Sequence, residues 1–209
     1  MAISLSKGQK VSLKKNNNEL KSVSVGLGWG QREVKYTVKE GGFLGFGGKE
    51  VEKIDLMEVD LDASCILFDK LDNVIDVVWF QQLRSKDGSV VHTGDDRGGG
   101  GDEDAANEVI TLDLTNVPLE IKNIVFVVNS YSGETFSGIP SAFCNIINNG
   151  DDKEFARYNL SVSGGSDRGF VAARVYRDNG EWNFEAIGEA VSGQQQSVRD
   201  IIPQAKKHL

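Results

Sequence analysis

Two segments of the chain concentrate carboxylates at spacings suited to a hard cation. The first is Val59-Asp60-Leu61-Asp62-Ala63-Ser64. On a strand, Asp60 and Asp62 project to one side roughly 7 Å apart, while Leu61, Ala63 and Cys65 face the other. Two carboxylates on one side repel unless a cation lies between them or solvent screens them. The second segment runs from His92 to Glu108 and holds six carboxylates and one arginine in 17 residues: Asp95, Asp96, Asp102, Glu103, Asp104 and Glu108, with Arg97 offsetting part of their charge. Four consecutive glycines, Gly98 to Gly101, let its backbone fold tightly and aim carbonyls inward. Oxygen ligands on a pliable loop suit Ca2+, which takes about 6–8 oxygens at about 2.3–2.6 Å in irregular geometry, whereas Mg2+ demands a stricter octahedron. The pattern is not an EF-hand, because no D-x-D-x-D-G run ends in a glutamate between two helices. By composition alone, an acidic glycine-rich loop is as readily a solvated surface loop. The acidic pair on a predicted strand is what favours a metal.

Other chemistries find little support. His92 and His208 are the only imidazoles, so no zinc or redox-metal site suggests itself. His92 reads as a structural or supporting residue beside the acidic loop. Cys65 and Cys144 lie in apolar surroundings, which disfavours the thiolate that a thiol-dependent reductase would need. They read as reduced, buried side chains and not as a disulfide framework. Acidic residues number 31 against 23 basic ones, giving a net charge of −8 that repels phosphate backbones and argues against nucleic acid as a partner.

The elements that must position these residues read as all-β. Short apolar or alternating runs predict strands over 23–29, 62–69, 74–80, 109–114, 124–128, 142–147, 155–160, 170–176 and 181–187, with polar turns between them. That pattern predicts a β-sandwich of two packed antiparallel sheets with few short helices. One domain spans residues 1–192, and a helical tail over 193–209 has its helix at Gln194 to Ile202, stopped by Pro203. Lys206-Lys207-His208 reads as a solvated end, and Trp29, Trp79 and Trp182 as core. An internal echo points to duplication: Ala63-Ser64-Cys65-Ile66-Leu67 matches Ala142-Phe143-Cys144-Asn145-Ile146, and Gly94-Asp95-Asp96-Arg97-Gly98 matches Gly165-Ser166-Asp167-Arg168-Gly169. The Gly41–Gly48 stretch reads as a solvent-exposed insertion between strands, although Phe43, Leu44 and Phe46 would suit a partner- or membrane-touching loop. No apolar stretch approaches the ~20 residues of a membrane span. No secretion signal is visible at the start, so a cytoplasmic location is expected.

Several motifs together resemble the tellurium-resistance TerD family. They are Ser4-Leu5-Ser6-Lys7-Gly8-Gln9 with Val11-Ser12-Leu13, Gly26-Leu27-Gly28-Trp29, Asp60-Leu61-Asp62-Ala63-Ser64, His92-Thr93-Gly94-Asp95-Asp96, Ala156-Arg157-Tyr158-Asn159-Leu160 and Asn179-Gly180-Glu181-Trp182-Asn183-Phe184. The likeness runs from residue 4 to about residue 192. The glycine-rich insertion, Val127 to Tyr131 and Ala142-Phe143-Cys144 look most like its TerZ branch. The resemblance implies a non-enzymatic, calcium-binding stress-response sandwich associated with tellurite resistance. It also implies two Ca2+ ions, and as partners a TerC-like membrane protein and a TerB-like soluble protein, the first holding the chain at the inner face of the membrane. Some relatives are described as cyclic-nucleotide binders, so a metal-assisted module for a nucleotide or oxyanion is the alternative, with a thiol-dependent tellurite reductase using Cys65 or Cys144 the less favoured one. Carried over by position, Asp60 and Asp62 match the family's D-x-D pair and Asp95 its G-D-N aspartate. Asp96, Asp102, Asp104 and Glu108 complete the implied metal ligands. Here Asp96 replaces the asparagine, and glycines replace the family's T-G-E. Aligned without gaps, Ala105 and Ala106 take the places of two acidic ligands. A two-residue insertion instead aligns Glu108-Val109-Ile110 with the family's E-V-I and brings the next strand into register.

Overall fold

The computed structural model describes residues 2–41, 48–96, 105–130, 135–136, 139, 141–160, 167–192 and 197–209. Among them the strands are β1 (Ile3–Leu5), β2 (Lys10–Ser12), β3 (Lys14–Lys15), β4 (Asn18–Glu19), β5 (Ser22–Trp29), β6 (Arg32–Glu40), β7 (Lys49–Met57), β8 (Leu61–Asp69), β9 (Val74–Val78), β10 (Val90–His92), β11 (Glu108–Asp113), β12 (Ile121–Ser130), β13 (Ala142–Asn148), β14 (Lys153–Leu160), β15 (Asp167–Asp178) and β16 (Glu181–Ser192). The helix α1 (Val198–Ala205) follows, then a 3-10 turn over Lys206–His208.

Two six-stranded sheets form the expected sandwich. One has the order β1-β14-β13-β5-β11-β10, the other β2-β16-β15-β12-β8-β9. Neighbours are antiparallel except at one margin, where β1 runs parallel to β14. Alternate residues of facing strands fill the space between the sheets: Val23, Val25 and Leu27 from β5 meet Leu61, Ala63, Cys65 and Leu67 from β8. The opposite face of β8 and β12 is apolar too, because Ile66, Phe68, Val125 and Val127 lie beneath Val198, Ile201 and Ala205 of α1. Burial on both faces is why Ile124 to Val128 reads as an unbroken apolar run.

All nine predicted strands are present. The helix differs from expectation. It starts at Val198, capped by Ser197, whose side chain accepts the Arg199 N–H while Asp200 accepts the Ser197 N–H, and Pro203 sits inside it. Pro203 deletes one helical hydrogen bond, but burial of Val198, Ile201 and Ala205 against the sheet holds the turns on either side together. Residues 194–196 of the expected helix lie outside the described residues. His208 is also less solvated than expected, with its Nε2 2.9 Å from Glu189 Oε2.

The echo between Ala63–Leu67 and Ala142–Ile146 falls on equivalent strands. β8 lies between its hairpin partner β9 and β12, and β13 lies between its hairpin partner β14 and β5. In each half this hairpin pairs with a strand of the other half, β8 with β12 and β13 with β5. Cys65 and Cys144 are both fully buried in the core between the sheets. The second echo is not equivalent: Asp96 follows a strand, whereas its counterpart Asp167 begins one, and Gly165 and Ser166 lie outside the described residues.

Sequence patterning missed the ribbon of β6 and β7. These strands pair over nine residues each, from Arg32↔Met57 to Glu40↔Lys49, and stand apart from both large sheets. β6 does alternate, with Val34, Tyr36 and Val38 on one face, but they stand opposite Asp55, Lys53 and Val51, and β7 is charged on both faces, so neither face of the ribbon is continuously apolar. The residues 42–47 at the ribbon's tip lie outside the described residues.

Docking of α1 is a concrete source of stability. Ile201→Ala removes a fully buried side chain and is expected to cost about 2–4 kcal/mol in chemical denaturation. Ile202→Ala, at a half-buried neighbour, should cost less than half of that.

Candidate metal centre

At one end of the sandwich the two acidic segments meet. Asp60 immediately precedes β8, Asp62 is its second residue, and Asp95 lies just beyond β10. One carboxylate oxygen from each lies within 4.8 Å of the others, with Asp62 buried, Asp60 half-buried and Asp95 exposed. This is closer than the spacing on a regular strand, because Asp60 sits outside the ladder. Burial first, then the charges of Glu108, Asp60 and Asp95, push the Asp62 carboxyl up to about 7, with His92 pulling weakly the other way. The cluster is a pocket of negative charge that strains against itself.

Glu108 and His92 hold the cluster in place. In β11, Glu108, Ile110 and Leu112 point inward. Glu108 is 1% exposed; its Oε2 accepts the Ala63 N–H at 2.6 Å and its Oε1 accepts the Asp96 N–H at 3.1 Å. His92 Nδ1 accepts the Gly94 N–H at 3.1 Å, which leaves the proton on Nε2. That Nε2–H faces the Ala63 carbonyl at 3.1 Å and Glu108 Oε2 at 3.3 Å. Both polar groups of the Ala63 peptide, next to Asp62, are thus satisfied by side chains of the opposite sheet. Glu108 therefore lies behind the trio, with both of its oxygens already accepting backbone N–H groups.

The Gly26-Leu27-Gly28-Trp29 motif makes room for the end of the acidic loop. Asn107 N–H donates to the Leu27 carbonyl at 3.0 Å, which lays residues 105–107 over β5. A Cβ on Gly26 would lie 2.7 Å from the Ala106 Cβ, and one on Gly28 would lie 2.3 Å from the Phe143 ring and 3.1 Å from the Ala105 carbonyl. Trp29 fastens both acidic segments: its backbone N–H donates to Asn107 Oδ1 at 2.8 Å and its indole N–H to the Val59 carbonyl at 3.1 Å. Asp96 turns its carboxylate toward Asn107, whose Nδ2 is 3.3 Å from Asp96 Oδ2. Asp102, Asp104 and Arg97 lie outside the described residues.

Sequence reasoning missed Asn129. It is cross-strand from Asp62, 2% exposed, with Nδ2 3.4 Å from Asp62 Oδ2 and with no donor to its Oδ1. An orphaned amide oxygen beside crowded carboxylates is a donor set that fits a hard cation. The one sequence signal was a polar residue ending the apolar run of β12. The thiols, by contrast, are remote from this chemistry: burial pushes Cys65 far up and Cys144 up to about 12.

The geometry is that of a two-sheet sandwich with carboxylates gathered around a buried aspartate where its sheets meet. The chain belongs to the TerD family, whose TerD domain matches residues 1–200. It is 40% identical over 193 residues to tellurium resistance protein TerZ of Serratia marcescens, covering 91% of each chain. It is 36% identical over 200 residues to general stress protein 16U of Bacillus subtilis (strain 168), covering 92% of this chain and 93% of that one. The fold matches the crystal structure of a homologue of telluride resistance protein (TerD) from Streptomyces coelicolor A3(2), with a TM-score of 0.58 at 16% identity over 88% of this chain and 95% of the other.

Two outcomes test the geometry. The raised Asp62 pKa means the folded, metal-free protein holds a proton that the unfolded chain releases above its ordinary value near 3.8. Stability should therefore fall as pH rises from about 4 to about 7 and stay low above that. Asp62→Asn should flatten this slope in chelator-treated melts and raise the melting temperature at pH 8 by about 2 °C or more. Glu108→Gln sets an amide N–H2 against one of two backbone donors and should cost about 1–3 kcal/mol even without metal.

Proposed function

We propose that Asp60, Asp62 and Asp95 bind Ca2+, and that the bound ion locks the acidic loop against β8. The observation that carries this reading is the convergence of three carboxylate oxygens within 4.8 Å around the buried Asp62. Such a group is electrostatically unfavourable until a cation enters it. The Asn129 oxygen can supply a neutral donor, and loop carbonyls and water the remainder of the six to eight that Ca2+ takes. Asp96 and Glu108 support the site from behind through Asn107 and the Ala63 peptide. A second ion would draw on Asp102 and Asp104. The ion's role is structural: it converts a repulsive loop into an ordered surface on which the TerC-like and TerB-like proteins of a stress-response assembly dock. The relatives carry resistance and stress names, which support that cellular setting.

Calorimetric titration of chelator-stripped protein tests the reading directly. Saturable Ca2+ binding in the micromolar range is expected, with Mg2+ at least about tenfold weaker. Ca2+ at about a hundredfold over its dissociation constant should add about 2.7 kcal/mol, a rise of roughly 5–10 °C in melting temperature for a chain of this size. Asp60→Asn and Asp62→Asn should each remove most of that rise. Equal Ca2+-induced shifts in both variants and the parent would take these residues out of the site. Absence of any Ca2+ heat would sink the proposal.

A further inference from the structure

The ribbon of β6 and β7 is a free-standing two-stranded arm, which is marginally stable by itself in water. It displays Tyr36 at 39%, Ile54 at 54%, Leu56 at 63% and Met57 at 50% exposure. Its first strand, Arg32-Glu33-Val34-Lys35-Tyr36-Thr37-Val38-Lys39-Glu40, pairs with β7 on one edge, and among the described residues no strand pairs with its other edge. The order of residues along it is self-complementary. Laid antiparallel against a second copy about a two-fold axis at Tyr36, it sets Arg32 against Glu40, Glu33 against Lys39, Val34 against Val38 and Lys35 against Thr37, with Tyr36 against itself. The two-fold repeats each unlike pair, so two Arg–Glu and two Glu–Lys pairings flank an apolar centre of valines and tyrosines.

This register is selective. Moving the axis one residue toward the root sets Lys35 against Lys35, and moving it one residue toward the tip sets Lys35 against Lys39. Like charges directly opposite one another destabilise a pair of strands. Within one copy Glu40 already binds Lys53 at 2.6 Å and Arg32 donates to the Thr135 carbonyl at 2.6 Å, so the two Glu33–Lys39 pairings carry the charge selectivity of the contact. Each arm is about 30 Å long at about 3.3 Å per residue. Two arms side by side therefore hold their sandwiches apart, each tip reaching the root of the other.

We infer that two copies of this chain associate through antiparallel, edge-to-edge pairing of β6, building a four-stranded sheet β7-β6-β6-β7 between their sandwiches. The contact is isologous, so it closes at a dimer. The second copy supplies what the arm lacks, since three or more strands give a ribbon independent stability.

Sedimentation equilibrium of the full chain should show a concentration-dependent doubling of mass. Glu33→Lys, which sets a second lysine against Lys39, should weaken the dimer by at least about tenfold. Adding Lys39→Glu should restore it, which loss of folding in the single variant could not mimic. Residue 36 faces its own copy at the 4.5–5.5 Å Cα separation of opposed strands, within disulfide reach. Tyr36→Cys should therefore oxidise to a covalent dimer, while Thr37→Cys, displaced from the axis, should do so far less. The native cysteines are buried and give a clean background. A parent chain that stays monomeric at every concentration overturns the inference. So does a Tyr36→Cys yield no greater than that of Thr37→Cys, or an Ile54→Cys yield that exceeds both and assigns the contact to β7.

Discussion

The peptide unit of Ala63 is the point on which this end of the molecule depends. β9 joins β8 only from Cys65 onward, so the N–H and C=O of Ala63 have no strand partner on that side. Left bare inside the sandwich, they would cost the desolvation of two backbone groups, on the order of 1–3 kcal/mol each. Glu108 and His92 reach across from the other sheet and satisfy both. This cross-sheet link closes the core, and it does so with a carboxylate. Placing Glu108 there raises the cost of ionising Asp62 next door, a cost that Asp60 and Asp95 increase further. Structural closure and electrostatic stress thus come from the same residues. Stress of that kind persists in a fold only where the surrounding contacts over-determine it or where something relieves it.

Comparison of the two halves isolates what is special about the acidic end. The equivalence of Ala63 with Ala142 pairs Asp60 with Ile139 and Asp62 with Ser141. Ile139 is buried, and Phe136 packs edge-on against Phe170 at 6.3 Å beside it. One half of the duplicated architecture therefore ends in aromatic and aliphatic packing, the ordinary way to finish a sandwich. The other ends in carboxylates held under strain. The acidic residues are not needed to terminate the fold, so they call for a role beyond it.

The sheets were legible because their signal is local. The alternation in β5 and the two-sided burial of β8 and β12 write themselves into neighbouring residues. The acidic pair and the acidic loop were legible as segments, and their meeting followed once the segments lay on opposite sheets. Three features were not legible, for distinct physical reasons. The work of Glu108 and His92 lies in contacts 45 and 29 residues away in the chain, which no spacing rule encodes. β7 carries charge on both faces and sets Asp55 and Lys53 against Val34 and Tyr36, so the short alternation of β6 has no apolar partner strand to confirm it as part of a sheet. Pro203 reads as a helix stop because propensity weighs its own hydrogen bond, while the outcome is set by apolar burial on the sheet.

The arm and the acidic cluster are not independent parts of the surface. The chain leaves β5 at Trp29, runs out along β6, returns along β7 to Met57, and reaches Asp60 within three residues. Trp29 holds the root of this excursion with its indole bond to Val59, the residue before Asp60. Its backbone holds Asn107, the residue before Glu108. One aromatic side chain therefore ties the returning arm, the first acidic segment and the end of the acidic loop to a single strand. A displacement of the arm's root must either break the Trp29–Val59 bond or carry Asp60 with it, and an ion held by Asp60 would stiffen that root in turn. Coupling of this kind is reciprocal by thermodynamic necessity: to whatever extent a paired arm favours the compact cluster, a filled cluster favours the paired arm. The short path from Met57 to Asp60 makes the insertion an extension of the site.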